Sequence, residues 1–80
     1  MYEMAHYYLR KGLYPVGFNY LLDGLAKSVM INNETRILKC VRLFESFREF
    51  SSRETQLAYQ NLMKEEDEHE KKIGIAINGD

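Results

Sequence analysis

Between Phe18 and Val29 the apolar side chains Phe18, Leu21, Leu22, Leu25, Ala26 and Val29 fall within one narrow arc when the chain is wound at 100° per residue, with Asn19, Asp23 and Lys27 opposite. A segment with that period buries its stripe only as an amphipathic helix, so the chain is committed to packing helix on helix. The same period recurs on either side. Met4, Ala5, Tyr8 and Leu9 form a shorter stripe, with Glu3, His6 and Arg10 across from it. Ile37, Leu38, Cys40, Val41, Leu43, Phe44, Phe47 and Phe50 cover about half the circumference of a third helix. That breadth predicts that the third helix is the most buried element.

The punctuation between stripes sets the helix ends. Gly12 suits a left-handed cap on the first helix, and Pro15 fits the first turn of the second. Asn32 or Asn33 can cap the third. Ser51 and Glu54 stand at capping-box spacing, which would start a fourth helix carrying Ala58, Tyr59, Leu62 and Met63. Its stripe then turns polar at Glu66, His69 and Glu70, so the helix should project past the core into water. The expected architecture is all-α: a single domain over 1–72, with a helical hairpin over 1–31 and further helices at about 33–50 and 52–71. Ile73, Ile75 and Ile77 alternate with Gly74 and Ala76, the pattern of a short strand or docking segment within a flexible tail over 73–80.

Eighty residues hold one core. A chain this short buries only about 60% of its unfolded surface, so a partner or second copy adds stability, and a binding module is favoured over a free-standing enzyme. Eleven basic and twelve acidic side chains leave a net charge of −1, with no global field to hold a polyanion. The single Cys40 excludes an internal disulfide and a cysteine zinc cage, which fits a cytoplasmic setting. Met1-Tyr2-Glu3-Met4 lacks the basic and apolar regions of a signal peptide, and no stretch approaches the ~18 apolar residues of a membrane span. The protein is therefore expected to be neither exported nor membrane-embedded.

No nucleophile elbow, phosphate loop, zinc-protease motif or paired catalytic carboxylate is present, and Cys40 lies on the core stripe. The sequence reads as non-enzymatic, with no cofactor. His6, Lys11 and Gly12 follow the order found in histidine-phosphotransfer domains, but the spacing is off by two and Lys11 lies on another side of the helix from His6. Glu66, His69 and Glu70 offer half of a di-iron carboxylate set without the other half, and read as a solvated acidic surface rather than a metal site. Residues 25–35 can be laid out as a helix-turn-helix, with Arg36, Lys39 and Arg42 following on its second helix. Met30 stands where that turn prefers glycine, and Arg36 where an inward apolar residue is expected. DNA binding by the helix after Asn33 is the alternative to protein binding. Six tyrosines are many for this length, and an amphipathic ring tolerates half-burial at an interface. Tyr7 and Tyr20 lie outside the apolar arcs and are the candidate contact residues.

The spacing of Met1, Met4-Ala5 and Tyr8, then Gly17 with Leu21, then Gly24-Leu25 resembles the tetratricopeptide (TPR) repeat, with Gly12 and Tyr14 at the turn between its helices. Small residues at Ala5, Gly17 and Gly24 would let two helices approach closely, with Tyr8, Tyr14 and Leu21 filling the gaps. Shifted by the repeat's 34 residues, the second half keeps Leu38, Ser51 and Ala58, but Lys39 and Arg48 replace a small and an aromatic residue, so its pairing is degenerate. The wording of residues 7–14, 20–25 and 37–44 is similar to the C-terminal repeats of the Rap/AimR-type (arbitrium) peptide-sensing regulators, over about residues 1–63. The resemblance implies a truncated relative without their DNA-binding head. It implies a small regulator of a phage lysis–lysogeny decision that dimerises or docks onto another regulatory protein through the end of the solenoid.

Overall fold

The computed structural model describes the backbone of residues 2–78 and the side chains of residues 2–68. Among them are four α-helices, α1 (Tyr2–Arg10), α2 (Tyr14–Met30), α3 (Glu34–Phe47) and α4 (Arg53–Asn78), with one 3-10 turn (Arg48–Phe50) between the last two. The all-α expectation is met.

The first two connections are built alike. After α1, the Gly12 N–H donates to the Leu9 carbonyl (3.0 Å) and the Leu13 N–H to the Tyr8 carbonyl (2.9 Å), while Gly12 takes φ +81°. This is a Schellman cap, whose left-handed position suits glycine. After α2, Asn32 N–H donates to Val29 (3.1 Å) and Asn33 N–H to Ser28 (2.9 Å), with Asn32 at φ 55°. The two asparagines divide the labour: Asn32 supplies the left-handed residue, and Asn33 Oδ1 accepts from the Arg36 N–H at 3.2 Å as the N-cap of α3. Pro15 sits in the first turn of α2, where its missing N–H costs nothing.

The start of α4 departs from the expectation. Ser52, not Ser51, caps it: its Oγ accepts the Thr55 N–H at 3.1 Å. Ser51 is taken up one residue earlier, its hydroxyl donating to the Arg48 carbonyl at the end of the 3-10 turn. The third helix accordingly stops at Phe47 rather than continuing regularly to 50.

A second correction concerns the centre of the molecule. Buried residues on α2 are Gly17, Phe18, Leu21, Gly24, Leu25, Ser28 and Val29, against Ile37, Cys40, Leu43 and Phe44 on α3. Leu38 and Phe50 of the supposedly buried third helix are about half exposed, at 50% and 46%. The reason is position: α2 packs against α1, α3 and α4, whereas α3 leaves Leu38, Lys39 and Arg42 exposed among the described residues. At Gly17 α1 and α2 approach closely, because a Cβ there would lie 2.7 Å from Leu9 Cγ and 3.0 Å from the Leu9 backbone nitrogen. Ser28, the one buried polar residue among those described, donates its hydroxyl to the Gly24 carbonyl at 2.7 Å, as a buried donor must.

Aromatic rings tie α4 to the rest. Phe18 meets Phe44 edge-on (5.7 Å), and Phe44 stacks on Tyr59 at 3.8 Å and 5°. The Arg48 guanidinium lies 5.1 Å from the Phe44 ring and 5.8 Å from Tyr59, held there by paired bonds to Glu45 at 2.7 and 2.8 Å. Tyr14 stacks on Phe50 at 4.6 Å, closing the 3-10 turn against the start of α2. Past Met63, Lys64, Glu65, Asp67 and Glu68 are exposed, as a helix leaving its core requires. The backbone stays helical to Asn78, beyond the expected stop near residue 72. Residues 73–77 therefore form no strand, since extending an existing helix adds a hydrogen bond without a new nucleation cost. The side chains of the tail expected at 73–80 lie outside the described residues.

Candidate protein-binding face

Tyr7 and Tyr8 are neighbours on α1 and therefore point about 100° apart. Tyr7 turns outward, 55% exposed, while Tyr8 leans toward α2 and is half-buried. Their rings meet edge to face at 5.3 Å, and Tyr8 in turn lies flat on Tyr20 at 5.5 Å and 3°. A tyrosine row thus crosses the α1–α2 hairpin. Lys11 Nζ stands 5.5 Å from the Tyr7 ring, a cation on the aromatic face.

On α2 the row continues into a shallow depression lined by Val16, Asn19, Tyr20 and Asp23. Val16 and Leu13 are 42% and 50% exposed, and Asp23 pairs with Lys27 at 3.2 Å on the rim. The surface joins apolar area, phenol hydroxyls and a few charges, the composition of an interface core with its polar edge.

The two tyrosines singled out from sequence are therefore linked, but not equivalent. Tyr7 is a surface ring, whereas Tyr20 is half-buried and packs against the core because Tyr8 covers one of its faces. The sequence pattern assigns Tyr8 to helix packing alone and does not mark Leu13 or Val16 as contact residues. The four-residue step from Val16 to Tyr20 was the available signal. Of the expected packing residues, Ala5, Gly17, Leu21 and Gly24 are buried and Tyr8 is half-buried.

Arg36, Lys39 and Arg42 are all exposed on α3. Lys39 Nζ lies 5.9 Å from the Tyr2 ring. A backbone hydrogen bond at the start of α1 lowers the Glu3 pKa, and the Arg36 and Lys39 charges help hold it down. His6 stacks on Tyr2 (6.0 Å, 5°). Cys40 is buried, and desolvation raises its thiol pKa, which keeps it protonated as a small apolar group. Among the described residues no three His, Cys, Asp or Glu side chains converge on a cation, and no helix is long and apolar enough to cross a membrane. His69 and Glu70 lie outside the described side chains.

The chain matches no family model, no curated protein and no solved structure.

Proposed function

We propose that this protein is a small non-enzymatic regulator that works by binding protein, through the face built on Tyr7, Tyr8 and Tyr20. The observation that carries the reading is the continuous tyrosine row across α1 and α2, bordered by exposed Leu13 and Val16. Aromatic rings backed by a rigid hairpin give large contact area with little side-chain entropy left to lose. The TPR-like spacing and the likeness to Rap/AimR-type regulators suggest the more specific version: a cytoplasmic, phage-encoded factor that acts on a lysis–lysogeny decision by docking onto another regulatory protein or by dimerising.

The test is capture of a partner by the tagged protein, repeated with Tyr7→Ala and Tyr20→Ala. Each variant should weaken capture about tenfold or more with unchanged helical circular dichroism. Undiminished capture by both would remove this face from the site.

A second reading is favoured by one observation: Arg36, Lys39 and Arg42 are exposed on the helix that follows a tight turn. On that reading α3 contacts DNA phosphates, and affinity falls steeply with salt and is lost on replacing the three with alanine. Absence of binding even at low salt would end it.

A further inference from the structure

Two outward faces of the helical stack carry apolar side chains of opposite electrostatic setting. Between α3 and α4 runs an open groove of about 350 Å³, floored by Ile37, Leu38, Val41 and Met63 and edged by Glu34 and Glu66. Leu38 is 50% exposed in it. On α1, Met4 and Tyr7 are exposed and are followed by the cations Arg10 and Lys11. Glu3 lies in the first turn of that helix, so the C-terminal half of the α1 face, which carries Arg10 and Lys11, is basic.

The faces match in length as well as charge. Positions 4 and 11 on one, and 34 and 41 on the other, are each seven residues apart, a rise of about 10 Å along a helix. We propose that the outer face of α1 in one copy seats in the α3–α4 groove of the next. Met4 and Tyr7 cover Leu38, Val41 and Met63, and Arg10 and Lys11 stand against the acidic rim. Two grooves facing one another would instead set Glu34 and Glu66 against their own counterparts, a like-charge arrangement that disfavours a two-fold pair. The joint is head to tail, each copy using two different faces, so association continues with concentration unless the geometry closes a ring. The groove shares no residue with the tyrosine row, but the α1 face does: Tyr7 belongs to both, so a seated copy competes with a protein partner for that ring.

Sedimentation equilibrium of the full chain over a wide concentration range tests it. The wild-type mass should climb beyond two copies as concentration rises, and association should weaken about tenfold or more from low to high salt. Leu38→Glu and the double variant Arg10→Glu/Lys11→Glu alter exposed positions and should each stay folded by circular dichroism and monomeric alone. Mixed in equal amounts they should form a discrete two-copy species, since one retains its α1 face and the other its groove. A wild-type chain that stays monomeric, one that stops at a symmetric pair, or two folded variants that do not combine would each overturn the proposal. Partner capture retained by Leu38→Glu would show that the tyrosine face acts independently of self-association.

Discussion

Leu9 fills the space in which a side chain at position 17 would stand: a Cβ built on Gly17 lies 2.7 and 2.8 Å from two Leu9 side-chain carbons and 3.0 Å from its backbone nitrogen. The hairpin between α1 and α2 is therefore set by contact with backbone as well as side chain. A rotamer change in Leu9 cannot relieve all of it.

Gly17→Ala should destabilise the protein, although alanine is the better helix former by about 1 kcal/mol. Overpacking of about 1–3 kcal/mol outweighs the propensity gain. Gly17→Leu should cost more and separate the hairpin. Urea denaturation measures both, and the alanine penalty should shrink in a Leu9→Ala background, where the contacting side chain has gone.

The paired asparagines offer a sharper contrast. Asn33→Ala removes the acceptor of the Arg36 N–H and should cost about 1 kcal/mol. Asn32→Gly should be neutral or slightly stabilising, because φ 55° is a conformation glycine adopts freely, while Asn32→Ala should destabilise. Equal losses from Asn32→Gly and Asn32→Ala in thermal melts would contradict the left-handed assignment.

Tyr59→Ala should release α4. It removes the ring stacked on Phe44 and one of the two surfaces under Arg48, at about 3–5 kcal/mol. Limited proteolysis should then cut near Ser51 and Ser52 well before the hairpin of α1 and α2.

Alkaline pH should weaken the fold through Cys40 and Tyr59. Burial raises the pKa of the thiol above its ordinary 9.0 and of the phenol above its ordinary 10.0. Both groups are neutral when protonated, so their contribution is complete below the unfolded-state values and is lost as pH rises through the folded ones. Stability should be maintained near neutrality and decline above about pH 9. Cys40→Ala should flatten the early part of that decline. An unchanged slope would assign the effect elsewhere.

Much of this was legible along the chain. Helical periods marked four helices because a 3.6-residue repeat is a property of each segment alone, and Gly12, Pro15 and Asn33 stand where their own φ preference or hydrogen-bonding groups suit them. The α4 cap shows the limit of such local reading. Ser51 and Ser52 offer the same hydroxyl, and the choice fell to Ser52 once the 3-10 turn engaged Ser51. The candidate face was half legible. Tyr7 is exposed as its place on the helix wheel suggests, but Tyr20 is half-buried by Tyr8, a ring from another helix that no wheel of α2 contains.

The sequence by itself determined an all-α chain, the stripe on each helix and the residues able to end it, since these follow from backbone period and side-chain chemistry within a few residues. The tertiary structure decided that α2 rather than α3 is central, that Leu9 meets Gly17, and that three tyrosines form one row. A stripe's width records how much apolar surface a helix carries, not how many neighbours cover it, and that number is settled only when distant segments compete for the same space.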